Sequence, residues 1–306
     1  MEDNLTMIGI KISRFYVITL FILTIFLVPN LSSAQDTLFG AIGNGSPINP
    51  GAIIQINQIS GAGTFIGDAV TPGGLSGIDF DSQGRLFGST VGGQGTNSTL
   101  VQINPQTGAL IDVIGDIRDG SGSPVKIGDL AFQPGTDVLY GIGANNNGPG
   151  GDLFTIDTTT AVATFIGSVI GRACGLAFAP DGTLYCWEGD GELHIVNPNT
   201  GSILSTILTN PSTDFIDAAA VRSDGTIFGA LCGECSNPDT ILTVDPDTGD
   251  VNFLGDAGQG GVSDLAFLNF VATDIPTLSE WGLIALAGVL GLTGLMVIRR
   301  RKAAAA

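Results

Sequence analysis

SGIDFDSQGRLFG (76–88), GDLAFQPGTDVLYG (128–141), CGLAFAPDGTLYC (174–186), DAAAVRSDGTIFG (217–229) and SDLAFLNF (263–270) are variants of one string. Their anchors Phe80, Phe132, Phe178, Val221 and Phe267 stand 52, 46, 43 and 46 residues apart. A second set of strings alternates with the first: IIQINQISGAGTFIG, LVQINPQTGALIDVIG, LFTIDTTTAVATFIG, LHIVNPNTGSILSTIL and ILTVDPDTGDVNFLG. Such a period is the mark of a repeat architecture. Each copy holds four short runs rich in Leu, Ile, Val, Phe and Thr, parted by Gly, Asp, Asn or Pro, which read as strands joined by hairpins. At Pro180-Asp181-Gly182 and Ser223-Asp224-Gly225 the chain reverses, because Pro presets φ and Gly accepts a positive φ. Asn104 to Gly108 and Asp245 to Gly249 read as turns that end on Gly. No window between the chain ends carries a helical period.

A four-stranded unit of about 40 to 50 residues, repeated several times, predicts an all-β fold, a β-propeller of five four-stranded blades over residues 36–270. The repeats resemble those of secreted bacterial propellers. The chain enters at a strand over Thr37 to Ile42 and leaves at one over Ser263 to Phe267. The last strand is therefore expected to complete the first blade, with residues 263–268 lying beside 37–43. A β-sandwich or an open solenoid is the competing architecture.

The chain has 306 residues, 46 of them Gly, a mean hydropathy of +0.38 and a net charge of -18. No Gly-X-Y period is present, so collagen is excluded, and the apolar content argues against general disorder. Residues 36–274 hold 26 acids and only five bases, whereas the other six bases, Lys11, Arg14, Arg299, Arg300, Arg301 and Lys302, sit at the two ends. So acidic a body is a poor partner for nucleic acid, whose phosphates need a Lys/Arg surface.

The ends read as addresses. Lys11 and Arg14 precede an apolar stretch from Phe15 to Val28, and Ser32 and Ala34 supply the small residues before a cut after Ala34, the layout of a signal peptide over 1–34. As a helix the stretch spans only about 21 Å, short of a membrane core. At the other end Trp281 to Ile298 carries no charge and the basic tail 299–306 follows it, which predicts a transmembrane helix with the base cluster cytoplasmic. Residues 271–280 form the linker. The string IPTLSEWG at 275–282, then this helix, then the Arg cluster resembles the IPTL-CTERM protein-sorting domain of Gram-negative bacteria. The resemblance implies recognition by an exosortase-type membrane protease at Ile275, Pro276, Thr277, Leu278, Trp281 and Gly282. It also implies an inner-membrane intermediate and a final place at the cell surface or outside the cell. A permanent single-pass anchor is the alternative.

Candidate chemistry is sparse. Asp129 and Asp264 stand three before their anchors and Asp217 one place off, so they could gather at a channel mouth and hold Ca²⁺; the competing reading is that each accepts backbone N–H groups. Asp245 to Asp250 fails the calcium-loop pattern and reads as a repeat turn. Cys174 and Cys186 flank one hairpin and are expected to face each other across it, while Cys232 and Cys235 would close a small loop. Cys-Gly-Glu-Cys could instead be redox-active or bind zinc. His194, the only His, is expected at a solvent-facing rim, and Glu188 to Glu192 reads as a solvated acidic loop with cation binding the lesser option. No other cofactor motif is present. The resulting expectation is a non-enzymatic binding or surface-structural module for an extracellular protein or glycan. A calcium-dependent, lactonase-like propeller hydrolase is the rival.

Overall fold

Short β-branched runs cannot bury themselves singly, so each set of four pairs into a small twisted sheet and the sheets pack face to face around an axis. A computed structural model describes residues 36–67, 73–90, 97–144, 151–169, 173–189, 191–213, 216–232 and 238–268. The first blade contains β1 (Thr37–Ile42), β2 (Ile53–Ile56) and β3 (Gly63–Phe65). The second is β4 (Leu75–Phe80), β5 (Leu86–Thr90), β6 (Thr99–Ile103) and β7 (Leu110–Asp116). The third is β8 (Arg118–Asp119), β9 (Ile127–Gln133), β10 (Val138–Gly143), β11 (Asp152–Ile156) and β12 (Val162–Ser168). The fourth is β13 (Ala173–Phe178), β14 (Leu184–Glu188), β15 (Leu193–Val196) and β16 (Ile203–Ile207). The fifth is β17 (Ile216–Val221), β18 (Ile227–Leu231), β19 (Thr240–Val244) and β20 (Val251–Asp256), after which β21 (Val262–Leu268) returns to the first.

The ring closes as the repeat phase requires. β21 pairs antiparallel with β1, setting Thr37 opposite Leu268, Leu38 opposite Phe267 and Gly40 opposite Leu265, so the first sheet runs β21-β1-β2-β3. Strands β4, β9, β13, β17 and β21 are the innermost of their sheets, and each contacts the next around the axis. The five-bladed propeller is therefore as expected, and neither the sandwich nor the open solenoid is formed. One element was not anticipated. The two-residue β8 adds to β12 in parallel, making the third sheet five-stranded. It lies in the longest interval between anchors, the 52 residues from Phe80 to Phe132, where spare chain exists for it.

The two recurrent strings owe their form to the seams between blades. The aromatic residue of one blade's second strand meets the anchor Phe of the next blade: Phe39 with Phe80 at 5.1 Å between centroids, Phe87 with Phe132 at 5.4 Å, Tyr140 with Phe178 at 5.1 Å and Phe228 with Phe267 at 5.2 Å. Edge-on and tilted geometries of this kind add to plain burial. At the remaining seam Tyr185 and Val221 share one buried cluster, which explains why an aliphatic anchor is tolerated there. The Gly-ended turns have a steric cause. Gly249 has φ 77°, and a Cβ there would lie 2.2 Å from the Leu208 carbonyl oxygen. Asp245 accepts the amide of Asp247 at 2.8 Å, so the acidic segment 245–250 is a turn, as read.

The signal segment and the sequence from residue 269 on, including the helix expected at 281–298, lie outside the described residues. Among the described residues no helix is long and apolar enough to cross a membrane.

Because Phe267 joins the last strand to the seam of the fifth blade, Phe267→Ala should cost about 3 to 5 kcal/mol in urea unfolding. Phe253→Ala, at an exposed position of β20, should stay within about 0.5 kcal/mol of the parent.

Candidate functional site

The five innermost strands enclose an axial cavity of about 310 Å³, to which each contributes wall residues, among them Asp79, Leu130, Leu176, Ala220 and Leu265. Its aromatic lining comes from Phe80, Phe132, Phe178 and Phe267, while Asp81 and Asp137 stand in the hairpins at its mouth. Small residues permit the close approach of the strands. A Cβ on Gly77 would fall 2.7 Å from the Leu130 nitrogen and 2.9 Å from the Asp129 Cα, so glycine at that place makes room for the carboxylate of the next blade.

Asp129 and Asp264 are fully buried beside one another, as their equivalent places in the repeat suggested. Each bridges two blades. Asp129 accepts the amide of Leu130 at 2.6 Å through one oxygen and that of Leu176, in the next blade, at 2.6 Å through the other. Asp264 accepts from Leu265 at 2.6 Å and from Ile78 of the second blade. Asp79 continues the pattern, taking the amides of Phe80 and, across the seam, Phe132. Serine hydroxyls add to these ties: Ser263 donates to the Leu75 carbonyl at 2.9 Å and Ser76 to that of Ile127 at 2.8 Å.

Burial is the main force on these acids. It drives the carboxyls of Asp129 and Asp264 well above the usual carboxylate range, and the negative charge of Asp129 adds to the effect on Asp264. Burial also pushes Asp79 up to about 7, against the two amide bonds that favour its ionised form and with a small addition from Asp81. Part of Asp79 faces the cavity, yet protein surrounds it closely enough to strip most of its hydration. Asp239 has no exposed surface and is likewise raised to about 7, first by burial and then by the charge of Asp217, against the Val262 amide bond.

Asp217 does not join Asp129 and Asp264. It occupies a β-bulge between Ile216 and Ala218, a place held in the other blades by Ser76, Gly128, Cys174 and Ser263. One residue of offset turns a side chain away from the shared face, so the three-aspartate calcium set read from the sequence is not assembled. Among the described residues, only Glu188, Glu192 and His194 bring three ligand-type groups together. The hairpin register corrects the expected cysteine facing: Phe178 pairs with Leu184, so Leu176, rather than Cys174, stands opposite Cys186. No disulfide is found among the described residues; the side chain of Cys174, and Cys235 altogether, lie outside them. His194 is also corrected. It is 2 % exposed instead of rim-facing, because Thr206 and Glu188 satisfy its two ring nitrogens.

The chain carries an IPTL-CTERM motif. The match covers residues 275–302, the segment whose IPTLSEWG string, apolar run and Arg cluster carried the resemblance. The motif is a C-terminal sorting signal of exported bacterial proteins and implies exosortase-type processing, in keeping with an envelope or surface location. Residues 116–264 match DUF6923, a repeat of unknown function. Among curated proteins none matches the chain. Three solved structures show similarity to this chain. A protein of unknown function from Bacteroides caccae is 10 % identical, with 76 % of this chain and 99 % of that one covered and a TM-score of 0.50. TolB from Acinetobacter baumannii is 14 % identical over 72 % and 53 %, with a TM-score of 0.47. Hydrazine synthase from Kuenenia stuttgartiensis is 17 % identical over 58 % and 47 %, with a TM-score of 0.40. The chain thus spans about half the length of the TolB and hydrazine synthase chains.

The raised acids set a pH dependence. A carboxyl whose folded pKa lies above its unfolded value stabilises the fold fully below the unfolded value, near 4, and that stability is lost as pH rises through the folded value. For Asp79 and Asp239 this loss runs from about pH 4 to just above pH 7. The urea midpoint should therefore be higher at about pH 5 than at about pH 8. Asp239→Asn should flatten that slope and raise the midpoint at the higher pH, since it removes a buried charge whose Oδ1 has no partner among the described residues.

Proposed function

We propose that this protein is an exported, surface-sorted propeller that works as a non-enzymatic binding module, offering the mouth of its axial cavity to an extracellular ligand. The observation that carries this reading is the use made of the axial carboxylates. Both oxygens of Asp129, of Asp264 and of Asp79 accept backbone amides, and in each residue one of the two amides belongs to a neighbouring blade. Groups so engaged hold the wall rigid instead of standing ready for proton transfer or cation capture. A calcium-dependent hydrolase would need at least three oxygen donors converging there, and Asp217 is turned away at its bulge.

A rigid, preformed concavity suits binding because little ordering is required of it when a ligand arrives. At about 310 Å³ the cavity is near the lower limit of small-molecule pockets, enough for one side chain or one sugar-sized group. Its phenylalanine lining and its acidic mouth suit a ligand that presents an apolar body with a positive or hydroxylated end. The acidic body fits life outside the cell, where a net charge far from zero keeps a protein soluble while it awaits its partner.

The sorting half of the proposal is tested by intact mass. In cells that possess an exosortase, the surface-exposed form should lack the apolar run 281–298, and Pro276→Ala combined with Trp281→Ala should leave a full-length species in the membrane fraction. A mature surface form that keeps residues 281–306 would establish permanent anchoring instead.

A further inference from the structure

Outside the axis, the fourth blade gathers three ligand-type side chains at one edge. Strand β14 ends on Glu188, and a tight turn returns the chain so that the Glu188 amide donates to the Glu192 carbonyl at 2.8 Å and the Gly191 amide to the Glu188 carbonyl at 2.9 Å. Gly191 has φ 96°, a conformation open to glycine, and this lets Glu188 and Glu192 stand on either side of a three-residue reversal. Two residues on, His194 lies between Cys186 of β14 and Thr206 of β16 in the cross-strand register. Its side chain is 3 % exposed, with Nε2 turned to Glu188 Oε2 at 3.2 Å and Glu192 Oε2 at 3.8 Å. One ligand atom from each of the three residues lies within 4.8 Å of the others.

The geometry points to a mononuclear transition-metal site of the zinc class, ligated by His194 Nε2 and by carboxylate oxygens of Glu188 and Glu192. Bonds of about 2.0 to 2.2 Å to a tetrahedral ion set neighbouring donors roughly 3.3 to 3.5 Å apart, so a small closure of the Glu192 side chain would complete the set. The donor types favour this class. An imidazole nitrogen with two carboxylates suits Zn²⁺ and its first-row neighbours, whereas Ca²⁺ and Mg²⁺ prefer oxygen alone. Two carboxylates balance the charge of a divalent ion.

The distal nitrogen carries the second argument. Nδ1 stands 2.8 Å from the Thr206 hydroxyl, whose oxygen can accept the Nδ1 proton. When Nδ1 donates to that oxygen the lone pair stands on Nε2, free for an ion, and the contact holds the ring against rotation, as the outer partner of a metal-bound histidine does. Among the described residues Nε2 meets only the two glutamates, and the ring is buried with that nitrogen aimed between them. Glu188 is mostly buried while Glu192 is half exposed, so one side of the ion would face solvent and keep a position for water or for a donor atom from a partner. The site lies on β14, β15 and their turn, apart from the carboxylates of the axis.

The test is zinc titration of the full-length, untagged chain in detergent at near-neutral pH after treatment with a chelator, followed by calorimetry and thermal unfolding. One zinc ion per chain is expected, with a dissociation constant of about 10 µM or tighter and a rise in melting temperature as zinc increases. The same concentration of Ca²⁺ should leave both readings unchanged. Glu192→Gln, a change at a half-exposed side chain that leaves the fold intact, should weaken binding at least ~10-fold, and His194→Gln should abolish it. Absence of saturable binding at about 100 µM zinc would show that the three groups form an ion pair only. Unaltered stoichiometric binding in Glu192→Gln would place the ion elsewhere, as at Cys232 and Cys235, and overturn the assignment even where His194→Gln failed to fold.

Discussion

Everything in this propeller rests on the pairing of its first strand with its last. Each sheet presents an apolar face that only the next blade can cover, so an open array of five would leave two such faces in water and one innermost strand missing. The β1–β21 ladder supplies that strand, and Phe267 then reaches Phe228 across the closing seam. Within the ring, every seam uses the same device, an aromatic or bulky anchor of one innermost strand set against the second strand of the blade before it. Closure thus converts a linear repeat into a structure without an exposed innermost edge.

The axis adds a polar layer to that apolar framework. Aspartates at the heart of a ring would ordinarily be costly, since burial disfavours their charge and Asp129 lies against Asp264. Their oxygens are nonetheless matched by amides from two blades at once, which binds neighbouring innermost strands in a fixed register. The remaining cost appears as raised pKa values, so acidity in this protein has two roles. On the surface it gives the body a net charge far from zero; at the axis it is structural. The cavity above these groups inherits its rigidity from them.

Several features were legible in advance because they depend on periodicity. The five blades, the closing phase, the hairpin turns and the equivalence of Asp129 and Asp264 all follow from aligning the repeats. The readings that failed turned on single residues. Asp217 falls at the bulge of its innermost strand, and a bulge has no signature in a string where the alternation merely shifts by one; Cys174 misses Cys186 because the hairpin register sets Phe178 opposite Leu184 and so Leu176 opposite Cys186. Asp79 was passed over because it stands one before its anchor and not three, yet it reaches the next blade as the others do. His194 appeared peripheral in an alternating strand, and its burial depends on Thr206, twelve residues away.

Blade number, chain order around the ring, the sorting tail and the sign of the surface charge are properties of the sequence, because each is carried by local pattern or by composition. Which carboxylates meet, which amides they take, whether the lone histidine is wet or dry, and how Glu188, Glu192 and His194 come to share one point were decided only by folding. Those contacts join residues on different strands or blades, and their geometry depends on bulges, seam packing and the turn of a single hairpin that no one-dimensional pattern encodes.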